Sequence, residues 1–166
     1  MRAFRPIRGH IPWTTVDATI RAGRSIWLAT ARPDGRPMVV PLWYWWDGRS
    51  TPPRLYFITA RPTRKARNLA HESWVEAHLG DGDDVVILRG RAHVVTDPGE
   101  RDRVDRAYRS RYVDPHSGAR ASVYDNPDDD VYRVHLETII AWSYGTVGTW
   151  TEWRFGAGGA AGDARP

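Results

Sequence analysis

The sequence predicts a mainly β fold, a β-barrel with a few short helices and six or more antiparallel strands. Three observations point there. Short β-prone runs such as SIWLATA, PMVVPLWYWW and RLYFITA follow one another, separated by turn-forming residues. The helical patterns between them are short. The long run Asp84–Thr96 carries Gly90 near its middle, where a bulge or bend lets one strand serve two sides of a closed sheet. Antiparallel strands with hairpin turns form barrels or sandwiches, and that bent strand favours the barrel.

Taken in order, residues 12–23 read as a short helix capped by Thr14 or Thr15 and stopped at Gly23. Ser25–Ala31 and Pro37–Trp46 form a hairpin around Pro33-Asp34-Gly35, in which Pro sets φ and Gly accepts a positive φ. Arg54–Ala60 is a third strand. Arg61–His71 reads as a helix with Pro62 near its first position, where a missing N–H costs nothing. Trp74–Leu79 and Asp84–Thr96 are strands, and Asp97 caps a helix running to about Tyr112. After an irregular acidic loop, Val131–Leu136, Thr138–Tyr144 and Thr149–Phe155 are closing strands. A single domain over residues 1–155 is expected, followed by a disordered Gly/Ala-rich tail over 156–166.

Hydrophobic residues make up 41% of the 166 and charged residues 27%, a soluble globular composition with no apolar run of membrane-spanning length. The N-terminus has no continuous apolar stretch of the secretory kind, so the expected location is cytoplasmic. With no cysteine, disulfides, thiolate metal sites and cysteine nucleophiles are excluded. The net charge of +4 is spread in alternating sign, so nucleic acid is not an expected partner. The six histidines lack helical metal-ligand spacing, and Asp128–Asp130 lack the glycine and alternation of a calcium loop, so no metal is expected. Neither a GxGxxG nor a P-loop pattern occurs.

The chemistry concentrates between Thr59 and Asn68. A strand delivers Thr59 to a sheet edge, and a helix begins a few residues later with Thr63 as cap and Arg64 and Lys65 in its first turn. Free N–H groups and partial positive charge suit helix starts to phosphates, whereas two successive cations there cost the helix a few tenths of a kcal/mol. A bound anion would offset that cost. Of the 24 basic residues only Lys65 is lysine, in a composition that otherwise uses arginine. In the strand Trp43-Tyr44-Trp45-Trp46, alternation sends Trp43 and Trp45 to one face and Tyr44 and Trp46 to the other. One face could line a ring-shaped ligand while the other joins a core or a dimer interface; packing on both sides is the other reading.

The segments LATARPDGRPMVVPLWYWWDG, LYFITARPTRKARNLA and DDVVILRGRAHVV resemble the split β-barrel flavoproteins of the pyridoxamine 5′-phosphate oxidase-like superfamily, which use FMN or a deazaflavin. The likeness runs from about Ser25 to Phe155. It implies an FMN-binding split barrel and an oxidoreductase that moves hydride to or from a small organic substrate. FMN, or alternatively the deazaflavin coenzyme F-420, would sit at a homodimer interface. By the same resemblance Val39, Val40, Pro41 and Leu42 would lie beside the cofactor ring and Ile58 and Thr59 would touch it. Arg64 and Lys65 would grip its phosphate, and Asn68 would support the site. The partner's Trp150 or Trp153 would close the pocket. The C-terminal Arg and His residues that hold substrate in pyridoxamine-phosphate oxidases proper have no match in WTEWRF and the glycine-rich tail, which counts against vitamin B6 oxidation. No catalytic acid or base is assigned, a role the flavin itself can make unnecessary. The alternative is a non-catalytic flavin- or haem-binding barrel, with His135 or His78 as an axial ligand.

Overall fold

The computed structural model describes residues 4–145 and 149–156. The tail expected to be disordered falls almost entirely on residues 157–166, outside the described residues. Among those described, three helices, α1 (Trp13–Ala22), α2 (Arg64–His71) and α3 (Pro98–Arg111), accompany seven strands. The strands are β1 (Ser25–Ala31), β2 (Pro37–Asp47), β3 (Arg54–Ala60), β4 (Trp74–Leu79), β5 (Asp84–Val94), β6 (Asp129–Ser143) and β7 (Thr151–Arg154). They run in the order β3-β2-β1-β4-β5-β6-β7, every neighbour antiparallel, and a β3–β6 pairing closes the first six into a barrel with β7 outside. The mainly β barrel read from the sequence is the fold observed.

The β1–β2 turn forms as its residues require, with Gly35 at φ +81° and the Gly35 N–H donating to Arg32 O at 2.8 Å. Asp97 and Thr63 cap their helices, accepting from the N–H groups of Glu100 and Ala66. At Gly90 the β5–β6 register shifts: Arg89 faces Thr138 and Gly90 faces Leu136, leaving Glu137 as the extra residue. A Cβ on Gly90 would overlap the His135 carbonyl oxygen, so the bulge needs glycine.

Several expected boundaries change: β5 ends at Val94, β7 spans Thr151–Arg154, and three further changes have a local cause. The two strands expected on either side of Glu137 are one 15-residue strand, because the bulge absorbs the interruption without ending the ladder. Helix α1 starts at Trp13 with Pro12 in the cap position and no side-chain cap, because Trp13 is drawn into the core while Thr14 and Thr15 stay at the surface. Helix α2 starts at Arg64, not Arg61. Residues 60–63 form a turn closed by Thr63 N–H to Ala60 O at 3.1 Å, and the Arg61 N–H donates instead to Asp128 O at 2.9 Å.

Two apolar cores result. One fills the barrel with Ile26, Leu28, Tyr44, Trp46, Phe57 and Leu88 and is covered by Trp13, Val16 and Ile20 of α1. The other lies outside the barrel wall, where Val104 and Tyr108 of α3, with Tyr112, pack on Tyr56, Val123 and Val131. Tyr44 and Trp46 therefore belong to the barrel interior. Trp43 and Trp45 face outward, stacked on Tyr112 and Tyr56 with centroids 4.6 and 5.0 Å apart. Trp153 is wholly buried in its own core against Trp13, so it cannot close the pocket of a neighbouring copy.

Candidate functional site

The barrel wall opens between β2 and β3. Their ladder pairs Asp47 with Arg54 through to Tyr44 with Phe57 and stops there. Past that point β2 continues against β1 alone, through Pro41 opposite Trp27, while β3 continues against β6 as far as Ala60 opposite Asp129. Proline, lacking an N–H, is accommodated where one side of a strand carries no ladder, and Pro41 lies in that stretch of β2.

A cavity of about 550 Å³ occupies the opening. Pro41, Leu42 and Trp43 form one wall and Ile58, Thr59 and Ala60 the other, with Thr63 and Lys65 from the start of α2. Tyr108, the loop residues Ala121, Ser122 and Asp125, and Asp129 at the start of β6 complete the lining. Thr59 and Thr63 are joined through their hydroxyls at 3.0 Å, and Thr63 Oγ1 also accepts from Ala66 N–H at 3.2 Å. The sheet edge and the helix start are thereby held as one unit.

Lys65 is half-buried and, among the described residues, forms no ion pair. Burial pulls its pKa below the usual lysine value, and the charge of Asp129 only partly opposes the shift. Its neighbours are differently engaged. Arg61 is bound to Asp130 at 2.9 Å, Asp128 at 3.2 Å and Pro127 O at 2.7 Å, and Arg67 donates to Pro62 O at 2.8 Å. Asp125 and Asp129 are themselves held locally, accepting from Ser122 N–H at 2.8 Å and Asn126 Nδ2 at 3.1 Å.

The nine residues expected at the site divide. Pro41, Leu42, Ile58, Thr59 and Lys65 meet around the cavity. Val39, Val40, Arg64 and Asn68 are outside its lining: Val39 and Arg64 are exposed, and Val40 is partly buried on the β1–β2 hairpin. Asn68 is buried on the barrel side of α2, donating to Thr30 Oγ1 at 3.0 Å and to the Met38 sulfur at 3.8 Å, so it latches the helix to the hairpin. Tyr108, Asp125 and Asp129 join the lining without having been singled out for it, and Trp43 joins it from one of the two strand faces weighed for a ring-shaped ligand. For Trp43 the alternating strand pattern was a usable signal. The acidic loop gave no such signal, because its return over the opening depends on distant anchors. These are Asp105, which accepts from Ser122 Oγ and Val123 N–H, and Arg101, which donates to Asp129 O at 2.9 Å. Trp150 is 38% exposed with the Arg8 guanidinium 5.2 Å above its ring, away from this lining.

With the geometry in place, comparisons with known proteins add the following. The family model for pyridoxamine 5′-phosphate oxidase matches residues 13–143. No curated protein matches. Among solved structures, a conserved hypothetical protein from Mycobacterium tuberculosis superposes with a TM-score of 0.67 at 22% identity, over 84% of this chain and 89% of that one. A heme binding protein from Mycobacterium smegmatis gives 0.63 at 20% identity, over 82% of this chain and 55% of its own. An F420 reductase gives 0.54 at 23% identity, over 74% and 94%. At such identities the likeness to these structures shows the fold alone.

Proposed function

The chain belongs to the pyridoxamine 5′-phosphate oxidase family, and from that premise we propose a flavin-dependent oxidoreductase. It binds FMN, with the deazaflavin coenzyme F-420 as the alternative, and serves hydride transfer to or from a small organic substrate in the cytoplasm. One observation carries the reading: the β2–β3 ladder opens beside a half-buried lysine that has no ion-pair partner among the described residues. Such a lysine is costly to keep charged, and a phosphate beside it returns what burial removes. Thr59 and Thr63 would offer hydroxyls to the same phosphate, and Arg64 at the first position of α2 adds charge at the rim. Pro41, Leu42 and Ile58 supply apolar walls that keep water from a planar ring. The ring itself, when bound, supplies the hydride chemistry.

The partner in this reading is a second copy of the chain. Trp27, Val39 and Trp43 are 52%, 54% and 47% exposed, and they share the outward face of the β1–β2 hairpin, which also carries Pro41 opposite Trp27. Apolar side chains gathered on one sheet face beside a cavity suit an interface between copies. A haem barrel has less support. Neither His78 nor His135 lines the cavity, and His135 Nε2 accepts from Arg133 Nε at 3.0 Å.

Titration of the purified protein with FMN and with the deazaflavin, followed by absorbance and fluorescence, tests the proposal. At least one should bind, and Lys65→Ala and Arg64→Ala should each weaken it about ten- to a hundredfold, the loss of one charge-assisted contact. Failure of both coenzymes to bind refutes the flavin reading. Binding that is unchanged in both variants refutes the phosphate assignment.

A further inference from the structure

Trp43 is the more exposed of the two outward, tyrosine-stacked tryptophans of β2. Its ring is 47% exposed, yet one face is covered by Tyr112, parallel to within 4° at 4.6 Å. Tyr112 is only 1% exposed, and its hydroxyl is anchored on the main chain. It donates to Tyr44 O at 2.6 Å, accepts from Tyr44 N–H at 2.8 Å and lies 3.0 Å from Arg24 O. The Trp43 carbonyl is held as well, accepting from Tyr108 Oη at 3.0 Å. The indole is therefore a surface aromatic backed on one face by Tyr112, with the Arg24 guanidinium 5.6 Å from its ring centroid. Trp43 and Tyr108 both line the cavity, but Tyr108 is 2% exposed, which leaves Trp43 as the aromatic surface available to a ligand there among the described residues. Lys65 belongs to the same cavity, contributed by α2 where Trp43 comes from β2.

We propose that Trp43, set by Tyr112, is the stacking platform for the planar ring of a ligand whose phosphate lies at Lys65. The proposal rests on the cofactor reading above and extends it by naming the residue that receives the ring. Aromatic rings favour offset stacking on a pre-set partner, since neither then loses rotamer freedom on association. Tyr112 is a positioning residue in this arrangement, while Trp43 makes the contact.

The test uses bound-ligand emission, with FMN and the deazaflavin as probes. An indole stacked on an excited flavin quenches it by passing an electron to the ring and taking it back. Emission from the bound ring should thus be strongly quenched in the wild type. Trp43→Leu should restore that emission several-fold and weaken binding about tenfold, in the range found for single stacking contacts. Trp43→Phe should retain most of the affinity yet restore emission, because a phenyl ring stacks but does not donate the electron. Lys65→Ala should weaken binding while the ligand that does bind stays quenched. The proposal is overturned if bound ligand remains equally quenched in Trp43→Leu and Trp43→Phe. That result, together with a shift from dimer to monomer in sedimentation, would make Trp43 a contact between copies only. Failure of both probes to bind the wild type would instead overturn the cofactor reading itself.

Discussion

At the scale of single residues, Tyr112 shows how a hydroxyl can substitute for a missing strand. The β1–β2 ladder ends with Ser25 opposite Trp43, which leaves the buried main chain of Tyr44 without a partner from β1. The Tyr112 hydroxyl accepts from the Tyr44 N–H and donates to its carbonyl. Tyr112→Phe keeps the stacked ring but strands two buried polar groups, so unfolding free energy should fall by about 1–3 kcal/mol. Urea denaturation measures this; a loss under about 0.5 kcal/mol would mean that water reaches the vacated position. Lys65 raises the opposite case, a residue held against local stability. Its depressed pKa means that the charged form is disfavoured by folding, so ligand-free protein should gain stability as pH rises from the folded pKa toward the ordinary lysine value. Lys65→Met should melt no lower than the wild type without ligand and lose the stabilisation that FMN or the deazaflavin confers.

At the scale of elements, the first turn of α3 is fastened to the barrel through one carboxylate. Glu100, in its first turn, accepts from Tyr56 Oη at 2.6 Å and from Arg133 at 2.8 and 2.9 Å, with Arg54 at 3.5 Å and Arg103 at 3.6 Å. Burial alone would raise its pKa, but the hydrogen bonds from Tyr56 and Arg133 prevail and the carboxyl titrates below its ordinary value. A depressed carboxyl pKa contributes stability above the unfolded-state value, and that contribution is lost as pH falls through the folded one. Glu100→Gln should therefore cost about 1.5–3 kcal/mol at pH 7. The gap between wild type and variant should begin to narrow near pH 4, where the unfolded carboxyl takes up its proton, and close as pH falls through the lower folded value. Thermal melts across pH 3–7 would show it, and a gap independent of pH would mean that packing, not charge, holds α3.

At the scale of the whole molecule, the opening in the barrel lies next to an apolar face. The wall opens where β2 and β3 part, and the adjoining hairpin presents Trp27 and Val39 to solvent. If two copies meet there, Trp27→Glu with Val39→Glu should convert a dimer into a folded monomer. Both side chains are about half exposed, so the barrel interior is untouched. Sedimentation velocity gives the mass and circular dichroism the fold. A wild type that is already monomeric at tens of micromolar would rule out this interface.

The sequence by itself determined the barrel class, most strand positions, the glycine bulge, the caps at Thr63 and Asp97, and the stretch from Thr59 to Lys65 that borders the cavity. Each of these is set by residues close together in the chain, through alternation, turn geometry or a side chain reaching a nearby N–H. The boundaries of α1 and α2 were less legible, because Trp13 is pulled inward by the core and Arg61 is bound by the distant Asp128–Asp130. Only the tertiary structure decided which residues share the cavity. It turned Asn68 into a latch, sent Trp153 into its own core, and brought Asp125 and Asp129 over the opening. It also set Trp43 on Tyr112. Those outcomes depend on contacts between residues tens of positions apart, and no local pattern encodes which such partners meet.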